Sequence, residues 1–206
     1  NQEGNRWSKN IRLPFNRSHH AVSFSSDRVH IADMNGDGLQ DIVYLTNGEL
    51  TYFPNRGLLG FGRGVRFDRM PSNVFQQSGL HLADMNGDGL SDVIYIQGNR
   101  VRLMLNQGMR DGQFTLANHV QFQGKRSIAE DAVRFVDING NGSTDIVWYS
   151  RGYRKGSYTY LELFNNEQPH QLKTIDNGIG GHTTLSYQSI AKQQSDAKEA
   201  GEPWQY

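Results

Sequence analysis

One segment, written three times, constrains this chain more than anything else in it. It reads Val29-His-Ile-Ala-Asp-Met-Asn-Gly-Asp-Gly-Leu-Gln-Asp-Ile-Val-Tyr44, then Leu80-His-Leu-Ala-Asp-Met-Asn-Gly-Asp-Gly-Leu-Ser-Asp-Val-Ile-Tyr95, then Val133-Arg-Phe-Val-Asp-Ile-Asn-Gly-Asn-Gly-Ser-Thr-Asp-Ile-Val-Trp148. The leading aspartates Asp33, Asp84 and Asp137 stand 51 and 53 residues apart. A period of that length belongs to arrays of small sheets and exceeds that of helical repeats. Such units bury their apolar faces against one another, not in one large core.

Each unit predicts four short antiparallel strands. The first is the apolar run before the loop, as in Val29 to Ala32. The second follows the loop at Ile42 to Leu45, Val93 to Ile96 and Ile146 to Tyr149. β-Branched and aromatic residues dominate these runs, as strands prefer. Asn47-Gly48 and Gly98-Asn99 then mark hairpin turns. The third strand is expected at Leu50 to Phe53, Val101 to Leu105 and Tyr160 to Phe164, each run followed by an asparagine: Asn55, Asn106 and Asn165. A glycine-bearing loop and an aromatic, Phe61 or Phe114, open a fourth strand. In the third unit Pro169 and His170 replace that glycine-aromatic pattern, and Arg151 to Ser157 form a longer second hairpin.

The predicted class is therefore all-β: a partial β-propeller of four-stranded antiparallel blades, with a short C-terminal β and linker segment. Residues 1–27 are expected to hold the outer strand of an incomplete preceding blade, at Ile11 to Phe15. Residues 28–176 carry three repeats, at about 28–77, 78–130 and 131–176. Residues 177–206 read as a linker and the start of a further domain, with Asn177 to Gly181 as a flexible hinge and 191–202 as an exposed loop. A closed propeller needs about four to eight blades, so further blades are expected outside this chain. The start at Asn1, not Met, points to a fragment or processed piece.

Composition narrows the function classes. Of 206 residues, 36% are hydrophobic, and the 23 glycines against 5 prolines imply many tight turns. Lys+Arg and Asp+Glu both total 21, so no basic excess marks a nucleic-acid surface. Cysteine is absent, which excludes disulfides and thiolate metal sites. No apolar run is long enough for a membrane span, and no signal peptide is present.

The loops carry the candidate chemistry. Loop one offers Asp33, Asn35, Asp37 and Asp41 at positions 1, 3, 5 and 9, with Gly38 at position 6. Loop two offers Asp84, Asn86, Asp88 and Asp92 with Gly89, and loop three offers Asp137, Asn139, Asn141 and Asp145 with Gly142. Position 7 adds a main-chain carbonyl from Leu39, Leu90 or Ser143. Calcium takes about six to eight oxygen ligands, and a tight loop with oxygens at alternate positions can wrap such an ion. Magnesium, which keeps an octahedral shell with several waters, suits the loops less. An EF-hand needs Glu at position 12 and flanking helices. Position 12 is Tyr44, Tyr95 or Trp148, and the flanks are strand-like, so the EF-hand is excluded. The competing reading is a set of ion-free Asn/Asp/Gly turns, since these residues favour turns for local reasons. Three carboxylates crowded into nine residues favour a structural calcium ion in loops one and two. Asn141 removes one charge from loop three.

Other features carry less. His30 and His81 occupy equivalent strand positions, taken by Arg134 in unit three, which points to packing. His19-His20 is an isolated pair in a polar stretch. Gly178-Ile-Gly-Gly181 lacks the spacing of a dinucleotide fingerprint. Asn16-Arg-Ser18 and Asn141-Gly-Ser143 match the glycosylation pattern by letter alone. No nucleophile, base and orienting group come together in the sequence, so a catalytic platform is disfavoured.

The Asp-Met-Asn-Gly-Asp-Gly-Leu-Gln/Ser-Asp loops, each followed by a strand and an Asn-x-Gly…Phe segment, resemble FG-GAP/VCBS repeats, the propeller repeats of integrin α-subunits and many bacterial surface proteins. The tail Thr174-Ile-Asp-Asn-Gly-Ile-Gly-Gly-His-Thr-Thr-Leu-Ser-Tyr187, with Ala200-Gly-Glu-Pro-Trp204, resembles the region after the propeller in SpvB/TcB-type bacterial toxins, the B components of Tc insecticidal toxin complexes. That resemblance implies a non-catalytic, calcium-binding scaffold of a secreted toxin or virulence protein, cytoplasmic before release and extracellular after it. Its implied partners are a pore-forming component and an RHS-repeat shell, with shell and toxic domain outside this chain. The alternative is an integrin-like adhesion propeller that binds a host protein or glycan.

Overall fold

The computed structural model describes residues 26, 28–46, 49–68, 79–110, 113–116, 120–123, 132–150, 156–164 and 168–202. The readings on Ile11 to Phe15, Asn16, His19, His20, Asn47-Gly48, Asn165 and Trp204, and most of the hairpin from Arg151, lie outside these residues. What is described is almost entirely β. No helix among the described residues is long and apolar enough to cross a membrane.

Blade one runs β1 (Val29–Ala32), β2 (Asp41–Thr46), β3 (Glu49–Phe53) and β4 (Val65–Asp68) in sheet order. Blade two runs β5 (Leu80–Ala83), β6 (Asp92–Gln97), β7 (Arg100–Met104) and β10 (Val120–Gln123). Blade three shows β11 (Ala132–Val136), β12 (Asp145–Ser150) and β13 (Ser157–Leu161). All pairings within these sheets are antiparallel. The three sheets are not closed into a ring, so the all-β, partial-propeller expectation holds.

Between β7 and β10 lies a hairpin, β8 (Asn106–Arg110) and β9 (Gln113–Leu116), that leaves its own blade. Strand β9 lies parallel to β4, pairing Phe67 with Phe114 and Asp68 with Thr115. Phe114 therefore does not open the fourth strand of blade two, as its glycine-aromatic context predicted. It extends the outer edge of blade one, and β10 fills the fourth place. Phe61 likewise lies in an isolated bridge with Asn55, and the fourth strand of blade one begins at Val65.

The blades stack face to face. Alternation along each strand sends successive side chains to opposite faces. Val93 on β6 joins Met34, Val43, Leu45, Leu50, Tyr52, Leu80 and Met104 between blades one and two. Its neighbours Ile94 and Ile96 join Met85, Val101, Leu103, Ile146 and Trp148 between blades two and three. Blade two is covered on both faces, which explains the unbroken apolar run Val93-Ile-Tyr-Ile96. Each fully buried Leu, Ile or Val of these layers contributes about 1.5–3 kcal/mol.

Three expectations need correction. Strand β13 begins at Ser157, paired with Ser150, and ends at Leu161, so the third strand lies three residues earlier than Tyr160 to Phe164. Asn177 to Gly181 is not a hinge but the turn of a hairpin joining β14 (Thr174–Asp176) to β15 (His182–Thr184). The Asn177 N–H donates to the Gly181 carbonyl, and its Oδ1 accepts from Ile179 and Gly181. Residues 191–202 are not an open loop either, because α1 (Ile190–Glu199) occupies most of them. Ser189 Oγ caps it by accepting from the Lys192 N–H at 3.1 Å, and Lys192 pairs with Asp196 one turn on at 2.8 Å.

Candidate cation-binding loops

The three loops close the same end of each blade, between its first and second strands. In loop one both Asp33 oxygens accept main-chain N–H groups, from Gly36 at 2.8 Å and Gly38 at 2.7 Å. Asn35 Oδ1 accepts from Asp37 N–H, and Asn35 Nδ2 donates to Asp37 Oδ2 at 3.0 Å. Asp37 Oδ1 accepts from Leu39 N–H at 2.8 Å. Gly38 holds φ at +81°, a left-handed conformation that side chains resist. Loop two repeats every one of these bonds with Asp84, Asn86, Gly87, Asp88, Gly89 and Leu90.

Position 9 is different in kind. Asp41, Asp92 and Asp145 are fully buried at the base of their loops. Asp41 accepts from Met34 N–H at 3.0 Å and from Asn55 N–H at 2.8 Å. Asp92 accepts from Met85 N–H at 2.9 Å and from Asn106 N–H at 2.7 Å. Each clamps its loop to the end of the third strand. Burial pushes all three carboxyls above the ordinary range, Asp92 to about 7. In Asp41 and Asp92 the paired N–H bonds oppose this, and the other two aspartates of the same loop reinforce it.

Loop three keeps the frame and changes the chemistry. Asp137 accepts from Gly140, Asn141 and Gly142. Asn139 Oδ1 accepts from Asn141 N–H at 3.0 Å, and Asn141 Oδ1 accepts from the Ser143 N–H and Oγ. Asn141 Nδ2 instead donates to Glu162 Oε1 at 2.7 Å. Asn139 Nδ2 thereby loses the acceptor its counterparts have and is buried without a partner among the described residues. Asp145 Oδ2 accepts from Ile138 N–H at 3.1 Å, but its Oδ1 is buried with no partner among the described residues.

The loops also touch one another. Ser91 N–H donates to the Asp33 carbonyl at 2.8 Å, and the Asn106 side chain donates to the Met34 carbonyl. Gln168 lies between Gly87 of loop two and Gly142 of loop three. Ala191 of α1 lies against Gly140.

Every polar side chain in these loops presents oxygen or amide, the donor chemistry of a hard divalent cation. A carboxylate oxygen that accepts one N–H keeps capacity for a second contact. Among the described residues no three His, Asp or Glu side chains are grouped so as to hold a metal ion by themselves. A cation here would need the mixed set of carboxylate, Asn and main-chain carbonyl at positions 1, 3, 5, 7 and 9. The Asp145 Oδ1 without a partner is one oxygen such a cation would satisfy. His81 instead packs on Phe135 with ring centroids 5.1 Å apart, and burial together with nearby His30 lowers its pKa, as a packing role predicts.

The sequence singles out Asn55 and Asn106 after their third strands but does not show their role as loop clamps. Nor does it show that Glu162 and Gln168 reach loops distant in sequence. The one signal for Glu162 was its coincidence with Asn141, a charge gained where a charge was lost.

A model of FG-GAP-like repeats matches residues 33–94 and 84–148, which together span more than half of the chain. No curated protein matches it. Among solved structures, the chain superposes on TcdB2-TccC3 lacking its hypervariable C-terminal region with TM-score 0.66 and 24% identity, over 88% of this chain and 9% of that one. The Photorhabdus luminescens Tc holotoxin pore gives TM-score 0.67 and 24% identity, over 89% of this chain and 9% of that one. An Agrocybe aegerita lectin that recognises non-reducing terminal N-acetylglucosamine gives TM-score 0.50 and 22% identity, over 68% of this chain and 35% of that one. At these identities the likeness is one of fold, and the chain spans only a small part of the toxin chains. With the thrice-repeated loop, the stacked blades and the family model in agreement, the chain belongs to the FG-GAP-like repeat family.

Proposed function

We propose that this chain is a non-catalytic propeller scaffold of a secreted bacterial toxin complex, with calcium held in its loops for structure and its blades docking protein partners. The observation that carries the reading is the superposition of 88% of the chain on one region of TcdB2-TccC3. The tail resemblance supports it independently. In this reading Asp33, Asn35, Asp37, Leu39 and Asp41 would hold one ion. Asp84, Asn86, Asp88, Leu90 and Asp92 would hold a second, and Asp137, Asn139, Asn141, Ser143 and Asp145 a third. The ion would cross-link the two ends of each loop, and the residues themselves set the β1–β2 type corner through N–H bonds. Its partners would be the pore-forming component and the RHS-repeat shell.

The docking test is direct binding of the immobilised chain to the pore-forming component of a Tc toxin. A Kd of about 1 μM or tighter, near −8 kcal/mol, supports the proposal. No binding at roughly 100-fold that concentration counts against docking. Calcium is tested separately by calorimetry on the parent, Asp37→Ala and Asp88→Ala. Heats unchanged in both variants, or absent from the parent, remove the ion.

The fold likeness to the lectin keeps a recognition propeller as the second reading. Saturable binding to N-acetylglucosamine-terminated glycans, with none to the pore-forming component, would replace the first reading by the second.

A further inference from the structure

The corner between β14 and β15 is built around one side chain. Its residues 177–181 read Asn-Gly-Ile-Gly-Gly, and the Asn177 N–H closes it by donating to the Gly181 carbonyl at 3.0 Å. Asn177 Oδ1 lies within the turn and accepts two main-chain N–H groups, from Ile179 at 3.0 Å and from Gly181 at 2.8 Å. Gly181 does not hold a positive φ, but a side chain there would run into the Asn177 amide nitrogen. The missing Cβ lets the amide sit in the turn.

The next main-chain nitrogen is held by a carboxylate. Gly178 N–H donates to Asp176 Oδ1 at 2.7 Å. Asp176 Oδ2 lies 3.3 Å from Nδ1 of His182, its register partner across the hairpin. A base thus sits on the nitrogen that follows Asn177, and two donors sit on the Asn177 side-chain carbonyl. General base and oxyanion donors are the groups that promote attack on an amide.

The loop asparagines share only part of this arrangement. Asn35, Asn86 and Asn139 also precede a glycine whose N–H is held by an aspartate. Among the described residues each of their Oδ1 atoms accepts one N–H. Asp37 and Asp88 pin Asn35 and Asn86 through Nδ2, and Asn139 Nδ2 is buried. Asn177 is exposed, and its Nδ2 makes no hydrogen bond among the described residues.

We propose that Asn177-Gly178 is a self-modifying site, where the asparagine loses ammonia through a cyclic imide and becomes aspartate or isoaspartate. The Gly178 nitrogen attacks Asn177 Cγ while Asp176 Oδ1 takes its proton. The carbonyl π pair moves to Oδ1, where the Ile179 and Gly181 N–H groups hold the charge. That pair then returns, the Cγ–Nδ2 bond breaks, and Nδ2 leaves as ammonia with the proton from Asp176. Water opens the imide at either carbonyl. His182 is a positioning residue that orients the Asp176 carboxylate. Isoaspartate lengthens the main chain at the corner and loosens the pairing of β14 with β15.

The test is a timed incubation of the full chain at neutral pH, native and in urea, with mass spectrometry of each Asn-Gly peptide and a count of isoaspartate by enzymatic methylation. Asn177 should convert ahead of Asn35, Asn86 and Asn139, and about tenfold or more faster in the native chain than in the unfolded one, a gain below the full reach of a positioned base. Asp176→Asn should remove most of that gain, with hydrogen exchange at the Asn177 N–H showing that the turn persists. Gly181→Ala should slow conversion too, by displacing the amide. A native rate no faster than the unfolded rate, earlier conversion at a loop asparagine, or an unchanged rate in Asp176→Asn with the turn intact overturns the proposal. The native-to-unfolded comparison decides it alone if the variants lose the turn.

Discussion

Asn106 and Met34 lie 72 residues apart in sequence and are joined by a 2.8 Å hydrogen bond from the asparagine side chain to the main-chain carbonyl. The same amide donates to the Ser91 carbonyl at 3.2 Å, and the Asn106 N–H donates to Asp92. One buried residue thus ties two loops and two blades. Asn106→Ala should lower stability by about 2–3 kcal/mol, because it strands buried carbonyls. Asn106→Asp should cost more, since it sets an anion against two carbonyls beside Asp92. Asn55→Ala, whose amide donates to the Gln40 carbonyl and accepts from the Gly57 N–H, both exposed, should cost about 1 kcal/mol or less. Urea unfolding of the three variants gives the ranking.

Two loop glycines separate backbone strain from contact. Gly38 has φ +81° with nothing within 4 Å of an added methyl, whereas at Gly142, φ +92°, the methyl would lie 2.7 Å from Gln168 Oε1. Gly38→Ala should cost about 1–2 kcal/mol from backbone strain alone. Gly142→Ala should cost more, because Gln168 must leave its place and its bond with Gln171 at 3.0 Å. The excess should vanish in a Gln168→Ala background, as a double-mutant cycle would show.

Asp92 gives a pH dependence with a definite sign. Its folded pKa is raised by burial to about 7 from 3.8, so between these values the folded chain binds the extra proton. Its contribution to stability is present below about pH 4 and is lost as pH rises through about 7. In chelator, Asp92→Asn should lower overall stability and abolish this component of the slope. Stability measured from pH 4 to 8 in parent and variant checks it, and parallel curves would refute it.

Calcium should stabilise the chain by linkage. For an extracellular-type site with Kd near 10⁻⁴–10⁻³ M, 10 mM calcium contributes about 1.4–2.7 kcal/mol per occupied loop. The melting temperature should rise on replacing chelator by calcium, less in Asp37→Ala, and least in Asp37→Ala/Asp88→Ala. Equal shifts in all three chains would locate any ion elsewhere.

Much of this was legible beforehand, for a local reason. Val29–Ala32 and Asp41–Thr46 are strands because β-branched residues flank a glycine-rich turn. The positions of Asp33, Asn35, Asp37 and Asp41 follow from that same turn. Helix α1 was not legible because its sequence, Ile-Ala-Lys-Gln-Gln-Ser-Asp-Ala-Lys-Glu, is polar on nearly every side. Its cap at Ser189 and its Lys192–Asp196 pair are local, but they resemble what any solvated loop could contain.

By itself the sequence determined the repeat, the strand-loop-strand unit and the oxygen-rich character of each loop, because these depend on residues within a few positions of one another. Only the tertiary structure decided that β8 and β9 cross to the edge of blade one, that Asn106 clamps the first loop, and that Glu162 accepts from Asn141 of the third. Those outcomes depend on which strand edges and buried polar groups meet after the blades stack, and such meetings leave no periodic mark in the chain.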